Sequence, residues 1–341
     1  MPRTPPILQG GRTRRRSRLR ALCRVGWPAL ALGFSVVIVL FVGVVAGGGL
    51  SSRESKAPHR KTGLGASTHS THSTHSATST AVATSTTAPA GAVRAVLPDP
   101  LKSKAARRWI SSRHGEITAA VLDLANHREW VLHPGERAQT ASIIKVDILE
   151  TLLHQTSARG EQLTATEDEE AEDMIEQSDD DDATDLWNEI GGAGGIGSYN
   201  ADAGLHQTTP NTGGYWGETT TSAVDQIKIL QQLLPGSRLL GSHDRAYELG
   251  LMRQIDADQR WGVTGGVPHG VSVALKNGWV PLSSAVDWEI NSIGWINGAR
   301  HDYLLAVLTK NDPSEGYGIA TIERLSADVY AALGRPATRS R

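Results

Sequence analysis

The uncharged apolar run from Val25 to Leu50 is the feature that most constrains how this chain can fold. It is long enough to cross a bilayer, which takes roughly 20 apolar residues. Residues 1–25 carry eight arginines and no acidic residue. Because basic residues stay on the cytoplasmic side, this asymmetry predicts a cytoplasmic N-terminal segment over 1–25, a signal anchor over 26–50 and an extracytoplasmic remainder. We therefore expect a single-pass protein of the cell membrane.

A cleaved signal peptide is the alternative interpretation of the same run. The small residues from Val44 to Gly49 would suit a signal peptidase, but the run exceeds the roughly 7 to 15 apolar residues of an ordinary signal peptide. The only cysteine, Cys23, precedes the run, so it does not fit a lipid-attachment site. A single cysteine also excludes a disulfide framework in the exported part. An uncleaved anchor is favoured.

Residues 51–100 are rich in Ser, Thr, Ala and His and are predicted to be a disordered linker. The repeat from Ser67 to Ser76 carries three histidines that could bind a metal, but a flexible polar tether is favoured. The formal net charge of the chain is −2, which gives no reason to expect a nucleic-acid partner. Common nucleotide, zinc-protease and hydrolase motifs are missing from the sequence, and we expect neither a cofactor nor a metal.

Only residues 101–334 have enough patterned apolar residues to form a core, and 335–341 are predicted to be a tail. Hydrophobic periodicity predicts two strands, a helical middle, three strands and a last helix, which is an α/β arrangement in which the first and last strands share a sheet. The strands are expected over Glu116–Leu124, Arg128–Pro134, Gly270–Trp279, Ala285–Ile296 and Asp302–Lys310, and helices over Ser142–Gln155 and Tyr317–Leu333.

The pair Ser142 and Lys145 is the first candidate for chemistry, because positions three apart are neighbours on a helix. Both continue the apolar stripe of Leu149 and Leu152, so the lysine should be desolvated. Desolvation disfavours the charged form of a lysine and makes it a plausible base for the serine. Thr140 is expected to cap the helix, with free backbone N–H groups near Ser142. A capping serine beside a snorkelling lysine is the simpler alternative.

Two further weak signals follow along the chain. Ser178 and Asp179 open an acidic stretch that lacks the spacing of a calcium loop and could be a solvated surface. Lys276 precedes Asn277 and Gly278 at the end of a predicted strand, where a glycine lets a backbone edge approach a substrate closely.

Together, Ser-x-x-Lys, Ser-Asp-x and Lys-x-Gly in this order make residues 101–334 resemble the class A β-lactamases and the penicillin-binding D-alanyl-D-alanine peptidases. The resemblance implies an antiparallel sheet, built from N- and C-terminal strands, with an inserted all-helical subdomain. It also implies a β-lactam or peptidoglycan-derived substrate and a serine hydrolase acting on amide bonds. The roles it carries over are Ser142 as nucleophile, Lys145 as base, Ser178 as proton relay, Lys276 as carboxylate ligand, Asp180, Asn277 and Gly278 as substrate contacts, and the N–H groups of Ser142 and Trp279 as oxyanion hole.

Three departures from the family pattern leave alternatives open. Asp180 stands where the family has asparagine, Asn277 replaces a threonine or serine, and the loop Gly204–Glu218 lacks the glutamate that assists hydrolysis in class A β-lactamases. We therefore expect acylation of Ser142 with slow hydrolysis. A D,D-carboxypeptidase uses the same residues, and a non-catalytic envelope-binding protein on a degenerate fold would explain the departures.

Overall fold

The computed structural model describes residues 97–282 and 287–334. The cytoplasmic segment, the signal anchor, nearly all of the linker and the C-terminal tail expected from the sequence lie outside these ranges. Among the helices in the described ranges, none has the length and apolarity needed to cross a membrane.

Five antiparallel strands form the central sheet, in the order β2-β1-β7-β6-β5. They are β1 (Glu116–Asp123), β2 (Arg128–Leu132), β5 (Ser272–Pro281), β6 (Trp288–Gly298) and β7 (His301–Asp312). The first strand pairs with the last, with Glu116 opposite Lys310. This confirms the expected sheet of N- and C-terminal strands.

The helices are α1 (Lys104–Ile110), α2 (Ile144–Arg159), α3 (Ala165–Glu176), α4 (Asp180–Glu189), α5 (Gly192–Ala203), α6 (Ala223–Gln232), α7 (Ser242–Arg253) and α8 (Glu315–Leu333). Helices α2 to α7 lie between β2 and β5 in the chain, which confirms the inserted helical part. Two short strands, β3 (Ala138–Gln139) and β4 (Thr220–Thr221), pair with each other within it.

Strand β7 shows why the sheet needs a layer on either side. Consecutive residues from Tyr303 to Thr309 are buried, so both faces of the strand are covered. Helices α6 and α8 both pack against it. The run from Leu304 to Leu308, which is apolar throughout, is therefore a central strand. The covered sheet supports the residues on β5, at its edge.

The four aspartates from Asp179 to Asp182 organise the start of α4. The Asp179 carboxylate accepts hydrogen bonds from the backbone N–H groups of Asp181 and Asp182, so it caps the helix. Asp180, Asp181 and Asp182 occupy the first turn, where negative charge is stabilised by the helix dipole. The acidic run is thus a helix start, and it fixes Ser178 in the turn just before it.

Candidate active site

Ser142 lies in a single 3-10 turn, Ala141–Ile143, immediately before α2. Ala141 has a φ of +44°, a left-handed conformation that is costly for a residue with a Cβ atom. The expectation that Thr140 caps the helix was wrong, because its side chain makes no capping bond. Its hydroxyl donates instead to the backbone oxygen of Gly217 at 3.3 Å, since the turn at Ala141 redirects the chain.

Lys145 is fully buried, one turn after Ser142. Its Nζ donates to the backbone oxygen of Ser178 at 2.8 Å, to Ser178 Oγ at 3.2 Å and to Oδ1 of Asp180 at 2.6 Å. These three acceptors match the three N–H donors of an ammonium group. Burial lowers the pKa of Lys145, and the hydrogen bond and charge of Asp180 oppose that shift.

Ser178 lies between two lysines that are distant in sequence. Its Oγ accepts from Lys276 Nζ at 2.9 Å on one side and from Lys145 Nζ on the other. Ser178 has a φ of +59°, a second left-handed residue at the site. Lys276 is fully buried, and burial together with the charge of Lys145 holds its pKa well below the usual value. A hydroxyl between two such amines can pass a proton in either direction.

Gly278 lets β5 approach the Ser142 turn. A Cβ atom at this position would lie 2.7 Å from the Ser142 nitrogen, 2.7 Å from the Thr140 oxygen and 2.9 Å from the Ile143 nitrogen. All three contacts are backbone atoms, so only glycine fits without displacing the turn. The close approach places β5 beside the Ser142 backbone.

Asn277 directs its side chain away from these groups. Successive side chains of a strand point to opposite faces, so Lys276 and Gly278 share one face and Asn277 and Trp279 the other. The Asn277 amide donates to the backbone oxygen of Gln259 at 2.6 Å. The Trp279 ring packs edge-on against Trp261, with 5.8 Å between ring centroids. The structure therefore brings together Ser142, Lys145, Ser178, Asp180, Lys276 and Gly278, and not the Asn277 side chain.

Three residues near the site were not singled out from the sequence. Asn291 on β6 donates to the backbone oxygens of Gln139 at 2.8 Å and Thr140 at 3.1 Å. Glu289 accepts from the Gln139 N–H, and burial raises its pKa to about 7. Both hold the segment that leads to Ser142. Their signal in the sequence is polar residues at alternate positions of an otherwise apolar strand.

The third residue, Trp216, lies over Lys145. The Lys145 Nζ is 4.9 Å from the ring centroid, and the indole N–H donates to Thr184 Oγ1 at 3.1 Å. Glu218, two residues on, accepts from the Asn211 side chain at 3.0 Å. This bond ties the glutamate to its own loop.

The sequence model of the β-lactamase enzyme family matches residues 158–333, just over half of the chain. The chain belongs to the β-lactamase enzyme family. The matched range includes Ser178, Lys276 and Gly278 and begins after Ser142 and Lys145.

Solved β-lactamases share the fold of this family member. The TLA-1 extended-spectrum β-lactamase superposes with a TM-score of 0.61 at 14% identity, covering 67% of this chain and 96% of that one. A class A β-lactamase from Mycobacterium abscessus superposes with a TM-score of 0.58 at 20% identity, covering 67% and 98%. The fold expected from the sequence is thereby confirmed.

A curated relative is more similar in sequence. "Putative lipoprotein LppW" of Mycobacterium tuberculosis is 29% identical over 230 residues, which are 65% of this chain and 72% of the relative. The protein of the same name from Mycobacterium bovis gives the same values. The family and the fold are those of β-lactamases, and the name of this relative refers to a lipid-attached protein.

Proposed function

We propose that this protein is a membrane-anchored, extracytoplasmic serine hydrolase whose Ser142 is acylated by β-lactams or related cell-wall amides, and whose acyl-enzyme hydrolyses slowly. The observation that carries the proposal is the Ser178 hydroxyl between Lys145 and Lys276, with Gly278 packed against the Ser142 backbone. This arrangement supplies a nucleophile, two proton carriers and a cation within one small site.

In the proposed reaction, Ser142 Oγ attacks the amide carbonyl while its proton passes to the neutral form of Lys145. The N–H groups of Ser142 and Trp279 stabilise the oxyanion. Ser178 gives its proton to the leaving nitrogen and regains one from the lysines on either side. Lys276 binds the carboxylate of the substrate and polarises Ser178.

Slow hydrolysis of the acyl-enzyme follows from the surroundings of the lysine. Attack by water on the acyl group needs a base placed beside the acyl carbon. Asp180 is engaged by Lys145, and Glu218 is tied to Asn211. Each carboxylate is thus held by a partner of its own, and we infer that neither activates the water molecule.

The location in the cell envelope rests on two supports. The apolar run from Val25 to Leu50 follows a basic segment and suits a signal anchor. The mycobacterial relative carries the name of a lipoprotein, which is an envelope protein by another mode of attachment. Both support a location in the cell envelope, where cell-wall amides occur.

Labelling with a fluorescent penicillin tests the proposal. The full chain in detergent should be labelled, and Ser142→Ala, folded to the same extent by circular dichroism, should not be. Release of D-alanine from a D-Ala-D-Ala peptide would identify the D,D-carboxypeptidase alternative, which uses the same residues.

A non-catalytic binding protein is the second candidate, and the ion pair between Lys145 and Asp180 favours it. A carboxylate beside the lysine stabilises the charged form, which cannot accept a proton. Rescue of a deletion strain decides between the two. Normal rescue by Ser142→Ala would support binding alone, whereas failed rescue by a folded, correctly located variant would support catalysis.

A further inference from the structure

Trp216 closes a ring of four contacts around the candidate base. Its indole N–H donates to Thr184 Oγ1, and that hydroxyl donates to the backbone oxygen of Asp180 at 2.8 Å. The Asp180 carboxylate accepts from Lys145, and the Lys145 ammonium lies on the Trp216 ring. The Thr184 hydroxyl accepts one hydrogen bond and donates another, so it links the indole to the start of α4.

The backbone around Trp216 is pinned to the turn that carries Ser142. The Gly217 oxygen accepts from Thr140 Oγ1, and a Cβ atom at Gly217 would lie 3.6 Å from the Ala141 Cα. The Thr219 N–H donates to the Trp216 oxygen at 3.0 Å. Trp216 is half-buried against the core, whereas its neighbour Tyr215 is 69% exposed. The indole is thus a fixed part of the site wall.

This position has a chemical consequence for Lys145. Three acceptors engage its N–H groups, and the aromatic ring lies over the ammonium, where a cation is attracted by the ring face. The indole therefore shields part of the buried Lys145 ammonium group from solvent.

We propose that Trp216 is a positioning residue that prolongs the acyl-enzyme, because its ring covers Lys145 against water. The inference rests on the proposed function. Hydrolysis of the acyl-enzyme joins a water oxygen to the acyl carbon and breaks the bond from that carbon to Ser142 Oγ. One water proton goes to a base and one proton returns to Ser142, so a covered base slows this step and leaves acylation unchanged.

The test compares four variants of the full chain in detergent, each mixed with a penicillin and followed by intact mass. Trp216→Ala removes the cover, and Trp216→Leu keeps apolar bulk without the indole N–H. Thr184→Val removes the hydroxyl that accepts from the indole and donates to the Asp180 backbone. Tyr215→Ala is the matched control, since Tyr215 is adjacent in sequence and mostly exposed. Rates of adduct formation and adduct loss are measured separately between pH 6 and 9.

Trp216→Ala should lose the adduct at least about tenfold faster, which is less than the roughly 10²- to 10⁴-fold that a positioned base contributes to proton transfer. Its rate of adduct formation should stay within about threefold, because the same base has access to Ser142 in both proteins. Thr184→Val and Trp216→Leu should shift adduct loss in the same direction by less, and Tyr215→Ala should not shift it.

Equal adduct lifetimes in the unsubstituted chain and the four variants would overturn the role of Trp216 but not the proposed function. Slower adduct formation with an unchanged rate of adduct loss would also overturn it, because that pattern indicates a structural role for Trp216. Should Trp216→Ala fail to fold, Thr184→Val and Trp216→Leu decide the question. No adduct on the unsubstituted chain would overturn the proposed function itself, and this inference with it.

Discussion

The Nζ atom of Lys145 lies 2.6 Å from Oδ1 of Asp180, and the lysine side chain is fully buried while that of the aspartate is 75% exposed. The pair therefore joins the interior of the site to its solvent edge. Solvent screens the exposed partner, so the contact contributes less to folding than its length suggests. Its main effect is on the charge of the lysine, because the carboxylate opposes the loss of the lysine proton.

Replacing Asp180 with asparagine should make Lys145 a better base. The anion that raises the pKa of the lysine is lost, whereas burial, which lowers that pKa, remains. More of the lysine is then neutral at pH 7, and the acidic limb of the rate profile moves to lower pH. We expect adduct formation to rise about two- to tenfold below pH 8, because more of the lysine can then accept the Ser142 proton.

The measurement is the second-order rate of penicillin adduct formation by Asp180→Asn from pH 5 to 9. Asp181→Asn is the control, because it removes the same charge one residue along the helix. A slower rate in Asp180→Asn would contradict the account and would indicate that the carboxylate itself takes part in the reaction.

Gly278→Ala should stop acylation without unfolding the protein. The new methyl group would meet backbone atoms of Thr140, Ser142 and Ile143, none of which can rotate away. Overpacking of this kind costs about 1 to 3 kcal/mol of unfolding free energy. Displacement of the Ser142 turn by about 1 Å should lower adduct formation about a hundredfold.

Thermal unfolding and penicillin labelling measure the two effects. Gly135→Ala is the control, since a Cβ atom there meets nothing within 4 Å. Normal labelling by Gly278→Ala would show that the approach of β5 to Ser142 is not needed for the reaction.

The buried Glu248 should make the free energy of unfolding depend on pH. It is fully buried, and among the described residues neither carboxylate oxygen has a hydrogen-bond partner. Glu150, on the same helix as Lys145, is also fully buried and bonds Tyr199 at 2.8 Å. Burial raises the pKa of both carboxyl groups well above the usual value, and the negative charge of neighbouring carboxylates adds to the shift.

An acid with a raised pKa keeps its proton in the folded protein at a pH where the unfolded chain has lost it. Its contribution to stability is therefore present at low pH and is lost as the pH rises from about 4.5 through the folded value. In Glu248→Gln the side chain cannot ionise, so this loss of stability at higher pH does not occur. The variant should be more stable than the parent at pH 8 and should gain less at pH 5.

Melting temperatures at pH 5 and pH 8 check this expectation, with the exposed Glu129→Gln as control. An equal change in melting temperature at both pH values would show that Glu248 ionises normally in the folded protein.

Short motifs single out Ser142, Lys145, Ser178, Lys276 and Gly278, because the members of each motif are close in sequence, and the fold brings the three motifs together. Trp216 and Asn291 could not be found in this way. Their partners, Lys145 and Thr140, are far away in sequence, and only the folded chain brings them together. Asn277 is part of a motif, but its side chain points away from the other motif residues. A motif position does not reveal which face of the strand a side chain occupies.

The strands were predicted well because long apolar runs have few alternatives in a covered sheet. Helix α1 was missed, since it has seven residues, only Ala106 is buried, and its basic residues give no apolar period. The turn before α2 was also missed. The left-handed Ala141 is imposed by tertiary contacts of its neighbours with Gly217 and Asn291, and alanine has no local preference for that conformation.

The proposed function requires that Ser142 forms a covalent acyl-enzyme. The direct measurement is the intact mass of the full chain after mixing with a penicillin. We expect the mass to increase by one penicillin and the adduct to last much longer than the mixing time. Peptide mapping should locate the adduct on Ser142, and Ser142→Ala should not form it. An unchanged mass for the folded protein, or an adduct that persists in Ser142→Ala, would contradict it.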